Sequence, residues 1–300
     1  MGQSRRGTKI EGFAILIKLI GLGLSIDSLS LGAILRLLAC RKVYIDTYTS
    51  IWYPSIDIIA RILSRLGIDV VNARRSDLEG NAIVNIVREA LDDVICIAVP
   101  GDPMIATTHS AIVVEAFARG VEVELVPSTS ILNAAISISC LQAYRFGKMV
   151  TIVKPKDGIV YETPYNVLKS NRDQGLHTVA LLEIDTEKNY YMTPKEALEI
   201  LIDIEKKRGE KVLEEKDIVI VLESIGFETG KIICGTVKEL VERRYGKALY
   251  TLIIPARKLH PVEEECIQNI TKLKVFKPIA NDAVLELLIE AVAQRLKHKA

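Results

Sequence analysis

Two glycine-bearing turns and one serine-bearing turn are the places in this sequence where residue types and spacing could support chemistry. Ile20-Gly21-Leu22-Gly23-Leu24 ends an apolar run. It lacks the third glycine of a dinucleotide fingerprint, so the pair marks either a tight turn or a close backbone approach to a ligand. Pro100-Gly101-Asp102-Pro103 directly follows the apolar run 94–99. Open parallel sheets bind ligands outside the carboxyl ends of their strands, and prolines on both sides of Gly-Asp restrict the backbone and aim the carboxylate. Thr107-Thr108-His109 comes next; a threonine there suits the N-cap of a following helix, and His109 reads as a boundary residue or a support behind the site. The third turn, 128–132, precedes a helix. Its serines suit a cap, and its amides suit a polar ligand. Each turn also has a purely structural explanation.

Other chemistries find no motif. There is no Walker loop, no Gly-x-Ser-x-Gly elbow and no His-Glu-x-x-His. His109, His177, His260 and His298 are far apart and show no metal spacing, so no metal site is expected. Asp92-Asp93 and Glu263-Glu264-Glu265 read as solvated helix ends. Cys40, Cys96, Cys140, Cys234 and Cys266 are scattered and include no Cys-x-x-Cys pair. They predict neither a disulfide framework nor a zinc site, and a reduced, cytoplasmic protein. Cys96, inside Ile-Cys-Ile-Ala-Val, reads as a small buried hydrophobe.

The elements that must position these turns alternate along the chain. Strands are expected over 14–22, 43–46, 94–99 and 122–126, and helices over 28–38, 56–66, 81–91 and 109–119, the last closed by Gly120. Strands separated by helices imply crossovers and a mostly parallel sheet. After Pro127 a second set begins. It has a helix near 133–141, a strand at 150–153, a helix at 165–174, a strand at 179–183, a helix at 194–207, and strands at 218–222 and 249–254 flanking a helix at 238–244. The expected organisation is an N-terminal α/β domain over 13–128, a C-terminal α/β domain over 129–280, and a terminal helix over 281–300. Leu285, Leu288, Val292 and Leu296 fall at helical spacing in that helix, which either packs on a domain or joins a subunit interface.

Composition sets the outer bounds. Of 300 residues, 49% are hydrophobic, 26% charged and only 5% aromatic, which suits aliphatic parallel strands under helices. A net charge of +1 leaves no general electrostatic footprint for nucleic acid. Lys206, Lys207, Arg208 and Lys211 stand among glutamates and read as a solvated face. Arg5, Arg6 and Lys9 before the apolar stretch 13–24 imitate a signal peptide, and Leu37-Leu38-Ala39-Cys40 a lipoprotein box. Lys18 and Asp27 interrupt the stretch, which reads instead as a strand entering a helix, and no membrane span is expected.

An ordered set of motifs goes further. It comprises Ile20-Gly21-Leu22-Gly23-Leu24; Tyr48-Thr49-Ser50; Pro100-Gly101-Asp102-Pro103 with Ala106-Thr107-Thr108-His109; Ser130-Ile131; Tyr144-Arg145-Phe146-Gly147-Lys148; Gly175-Leu176-His177-Thr178; Tyr191-Met192-Thr193; and Lys258-Leu259-His260. Together these resemble the diphthine synthase family over roughly 15–265. Ala-Thr-Thr-His separates the set from corrin and siroheme methylases, which usually carry Gly-Pro-Gly-Asp-Pro where Leu24-Ser25-Ile26-Asp27 stands here.

The resemblance implies an α/β fold of two tetrapyrrole methylase-like (class III methyltransferase) domains with a cofactor cleft between them. It implies S-adenosylmethionine as methyl donor and S-adenosylhomocysteine as product. It also implies a homodimer and, as substrate, elongation factor 2 bearing a 3-amino-3-carboxypropyl histidine, with no nucleic-acid or membrane partner. Cofactor contacts carried over by motif are Leu24, Asp102, Ile105, Ser130, Ile131, Leu182, Ile225 and Tyr250. The sequence departs from the pattern in three places: Glu223-Ser224-Ile225-Gly226 stands where relatives often show Ala-Arg-Ala-Gly, Tyr250 where they often show His, and 255–260 is one residue longer. No catalytic base is assigned. A tetrapyrrole-precursor or RNA methyltransferase of the same fold, and a non-catalytic cofactor-binding regulator, remain the alternatives.

Overall fold

A computed structural model describes residues 15–297. Arg5, Arg6, Lys9, Phe13, the expected strand start at 14, and His298 lie outside them. Five strands make the first sheet: β1 (Leu16–Gly21), β2 (Lys42–Asp46), β3 (Asp69–Ala73), β4 (Val94–Val99) and β5 (Glu122–Val126). Their order is β3-β2-β4-β1-β5 and every pairing is parallel. Both faces of the central strands are covered, which is why β1 and β4 read as apolar runs, while the edge strands β3 and β5 are only partly buried. Ile20, Val43, Ile45, Cys96 and Ala98 face α1 (Leu31–Leu37) and α2 (Asp57–Arg65). Ile17, Leu19, Ile95, Ile97 and Val99 face α3 (Arg75–Leu78), α4 (Ala82–Glu89) and α5 (Ser110–Ala118).

The second half carries α6 (Ile131–Ile138), β6 (Val150–Ile152), α7 (Thr163–Asp173), β7 (Thr178–Leu182), the hairpin strands β8 (Ile184–Asp185) and β9 (Tyr190–Tyr191), and α8 (Pro194–Arg208). It continues with β10 (Ile218–Glu223), β11 (Lys231–Thr236), α9 (Val237–Glu242), β12 (Tyr250–Ile254) and α10 (Pro261–Asn269), and α11 (Asp282–Lys297) closes the described chain. The sheet order is β11-β10-β12-β7-β6, and only β6–β7 is parallel. The expected mostly parallel arrangement therefore holds for the first sheet and fails for the second. The link from β10 to β11 is too short for a helical crossover, so the chain turns back as a hairpin. Neither β3, β11, the β8–β9 hairpin, α3 nor α10 is anticipated by the sequence pattern.

Two helix starts shift for a capping reason. Ser28 is consumed in a turn, its Oγ donating to the Ser25 carbonyl at 2.7 Å and accepting from the Ser25 amide at 2.9 Å. Helix α1 therefore begins at Leu31 behind Ser30, whose Oγ accepts from Ala33 N at 3.0 Å. Likewise α6 starts at Ile131, ahead of the expected 133, because Ser130 is its cap.

Two further expectations are corrected. On α11 the buried positions are Leu285, Ile289 and Ala293, while Leu288 and Leu296 of the expected stripe are exposed. The helix lies against α2, where Arg65 pairs with Glu286 and Glu290, so partners from the first half select the face. Four of the five cysteines also stand in pairs, Cys40 with Cys96 and Cys140 with Cys266, at Cα separations of 6.0 and 5.9 Å, and Cys234 is free. Partners 56 and 126 residues apart leave no local spacing to read. Cys96 is nonetheless fully buried, as its apolar neighbours suggest.

Candidate functional site

One cavity lies between the carboxyl ends of the β1 and β4 strands and the second sheet, with a volume of about 280 Å³, near the lower end of small-molecule sites. All three turns singled out in the sequence reach it. The loops after β1 and β4 are laced together by Gly23 N donating to Gly101 O at 3.1 Å and Gly101 N donating to Gly23 O at 2.8 Å. Asp102 is 6% exposed. Its Oδ1 accepts from Met104 N and its Oδ2 from Ser128 N, each at 2.9 Å, so the carboxylate ties the loop after β4 to the loop after β5. Further lone pairs remain for a ligand donor. Ser130 is buried, caps α6 and accepts from Leu132 N at 3.2 Å, which directs the start of that helix at the cavity.

The opposite wall comes from the second sheet. Leu182 ends β7, Tyr250 opens the antiparallel β12 beside it, and Thr151 of β6 and Thr251 of β12 add hydroxyls. The Tyr250 hydroxyl donates to Gly246 O at 3.1 Å, and burial pushes its pKa up to about 12, so it serves as a neutral group. Ile225 and Phe227 reach in from the β10–β11 turn. Phe227 packs at a tilt against Tyr53 with 5.1 Å between ring centroids, and Leu24 sits so close to Gly226 that a Cβ there would be 2.8 Å away.

Leu24, Asp102, Ile105, Ser130, Ile131, Leu182, Ile225 and Tyr250 thus all line this single cavity. Thr49, Ser50, Ile51, Thr107, Glu183 and Phe227 line it as well without having been assigned a contact. Tyr48-Thr49-Ser50 stood out as a motif; Glu183 and Phe227 follow apolar strands with no distinguishing local pattern. Among the described residues the lining contains the carboxylates Asp102 and Glu183 and no lysine, arginine or histidine. Glu183 Oε2 accepts from Lys154 N at 2.7 Å, which holds the side chain in place.

The remaining motifs gather elsewhere. At the far end of β7 and β12, Glu263 accepts from Gln142 N and His260 N at 2.9 Å, from His177 Nε2 at 3.0 Å, and from Arg145. His177 Nδ1 accepts from Ala256 N at 2.9 Å. Burial holds His177 below its usual range, and it stands as the neutral Nε2–H form. For Glu263 burial works upward, but the His260 and Gln142 amides and His177 outweigh it and lower its pKa. Arg145, His177, His260 and Glu263 therefore brace loops and stay outside the cavity. Glu263, expected on a solvated helix end, is buried. Among the described residues no cluster of His, Cys, Asp and Glu is arranged to hold a metal ion.

The family model of Tetrapyrrole (Corrin/Porphyrin) Methylases matches residues 17–241. A diphthine synthase of Staphylothermus marinus is 42% identical over 81% of this chain and 89% of its own length. One of Saccharolobus islandicus is 38% identical over 84% of this chain and 97% of its own. The chain belongs to the diphthine synthase family. A crystal structure of diphthine synthase superposes with a TM-score of 0.75 at 31% identity, covering 91% of this chain and 99% of that one. Family membership makes the chain a methyltransferase and the cavity the place to seek its methyl donor.

Proposed function

We propose that this cavity binds S-adenosylmethionine and that the chain N-methylates the 3-amino-3-carboxypropyl group on a histidine of elongation factor 2, yielding diphthine in diphthamide biosynthesis. The observation that carries the reading is the lining itself. Eight positions between residues 24 and 250 converge on one apolar cavity with two carboxylates and, among the described residues, no cationic side chain. Such a wall suits a ligand with sulfonium and ammonium charges and disfavours a nucleotide phosphate. Bound S-adenosylmethionine supplies an electrophilic methyl group. The chain's own work is to orient and to exclude water. The laced loops after β1 and β4 hold the donor from one side. Leu182, Ile225 and Phe227 close the other. Glu183 gives the incoming ammonium an anionic partner and a path for its proton.

The cofactor contacts we assign are Leu24, Asp102, Ile105, Ser130, Ile131, Leu182, Ile225 and Tyr250. We divide the chain into domains over 13–128 and 129–280 with a terminal helix over 281–300, supported by one sheet in each half. We also propose a homodimer and a cytoplasmic location, and it is the dimer that the remaining surface supports. Helix α5 is apolar nearly all round, yet Val114 and Phe117 are each 67% exposed beside Leu125 on the open edge strand β5, a face suited to a second copy. No helix among the described residues is long and apolar enough to cross a membrane.

Mass spectrometry after incubation with S-adenosylmethionine tests the substrate. Elongation factor 2 carrying the aminocarboxypropyl group should gain methyl groups on that side chain, and unmodified factor, tetrapyrrole precursors and RNA should gain none. Transfer to a tetrapyrrole or RNA with none to the modified factor would overturn the assignment.

A further inference from the structure

His109 and Asp46 sit directly behind the cavity with fully buried side chains, and the methyl transfer described above uses neither. Asp46 ends β2 and His109 stands at the cap position of α5. The ring's Nδ1 lies 3.1 Å from the Pro103 carbonyl oxygen, which also accepts from Thr107 Oγ1 at 2.9 Å. A carbonyl only accepts, so Nδ1 carries a proton. Nε2 lies 3.5 Å from Asp46 Oδ2 and has no hydrogen-bond partner among the described residues. With Nδ1 alone protonated, the bare Nε2 lone pair would face a carboxylate in a buried site, two acceptors with no donor between them. The Asp46 charge is itself well supported. Oδ1 accepts from Tyr48 N at 2.9 Å and Thr49 N at 3.0 Å, and Oδ2 from Thr49 Oγ1 at 2.7 Å. The neighbouring Glu79 is occupied, accepting from Thr108 Oγ1 and pairing with Arg75, both at 2.9 Å, and accepting from the Tyr48 hydroxyl at 3.3 Å.

We propose that His109 is a buried imidazolium strut joining Asp46 to the Pro103 carbonyl and so fixing the two loops that bound the donor cavity. Its Nδ1–H holds the loop after β4, which contributes Asp102, Ile105 and Thr107 to the lining. Its Nε2–H faces Asp46, whose other partners lead directly into Thr49, Ser50 and Ile51 on the same lining. The role gives Ala106-Thr107-Thr108-His109 a purpose that contact with the ligand does not. His109 is a positioning residue, and the inference rests on reading this cavity as the S-adenosylmethionine site.

Long-range proton–nitrogen NMR of the wild-type protein at neutral pH tests the charge without any substitution. Both His109 ring nitrogens should resonate as protonated, and a neutral ring with one bare nitrogen would overturn the proposal. Calorimetry with S-adenosylhomocysteine tests the consequence. His109→Asn, which keeps a short amide donor but no charge, and Asp46→Asn should each raise Kd about tenfold or more, while kcat at saturating donor changes far less. The double variant should be no worse than either single one, as for two ends of one strut. Wild-type affinity in both variants, or fully additive losses, would also overturn it. If the wild-type protein fails to bind S-adenosylhomocysteine, the functional reading falls, and the NMR signature alone still decides the strut.

Discussion

A Cβ at Gly21 would stand 2.6 Å from Ser128 Cβ and 2.8 Å from Gly101 O, inside the junction where the three cavity loops meet. Neither neighbour is a flexible tip, so Gly21→Ala should cost about 1–3 kcal/mol and most of the cofactor affinity, measurable by urea unfolding and calorimetry. Asp102 belongs to the same junction. Alanine there removes the acceptor of two backbone amides, so the variant should lose stability as well as ligand affinity. Asn at the position, retaining one acceptor oxygen, should lose less of both. Glu183 faces the reacting amine under the proposed function. Glu183→Gln should lower kcat about 10²-fold with S-adenosylhomocysteine affinity nearly unchanged. The deficit should shrink as pH rises, because the amine then loses its proton unaided. A deficit constant across pH, followed by single-turnover methyl transfer, would refute the role.

Strand direction separates two kinds of motif. β7 and β12 run antiparallel, so Leu182 and Tyr250 meet at the cavity while His177 and the segment after Ile254 meet at the opposite end. The braced end should govern stability and its pH dependence. His177 is held below the ordinary value of 6.5 by burial, so the unfolded chain takes up its proton first. The stability associated with the neutral ring is present above that value and is lost as pH falls. Glu263, lowered by its donors, contributes stability above the ordinary carboxylate range that is lost as pH falls through its own depressed pKa. Both act in one direction. Urea midpoints should hold from pH 8 to about 7, start to fall near the ordinary histidine value, and drop further in the carboxylate range. Glu263→Gln should cost about 3–5 kcal/mol at neutral pH and flatten the acid part of that profile, while leaving ligand affinity intact.

At the scale of the whole molecule, two cysteine pairs and one apolar face make separate claims. Alkylation of the denatured, unreduced chain should label Cys234 alone, and reduction should expose the remaining four. Because the bonds close loops of 56 and 126 residues, reduction should destabilise the fold by up to about 4–5 kcal/mol per bond. Labelling of all five without reductant would show that the pairs are thiols in contact. For the α5–β5 face, light scattering should report twice the chain mass of 33.3 kDa, and Phe117→Glu should halve it.

Local pattern by itself determined a good deal. Apolar runs announced β1 and β4, since a strand buried on both faces needs no alternation, whereas the edge strand β5 reads as the alternating Glu-Val-Glu-Leu-Val. Turn residues after those runs announced the cavity floor, and the eight positions carried over by resemblance from the ordered motifs are all among the residues that line the cavity. Other features were decided only by tertiary structure. The antiparallel second sheet follows from short connections rather than from strand composition. Which face of α11 is buried depends on α2, a partner more than 200 residues earlier. Cys40 finds Cys96, and Glu263 finds His177, only because strands bring distant segments side by side. Glu183 carries no local mark that separates it from any carboxylate after a strand; the closure of the second sheet over the first places it on the cavity wall. Propensity and periodicity act over one turn or one strand, whereas pairing of charges, thiols and faces depends on contacts that exist only once the chain has folded.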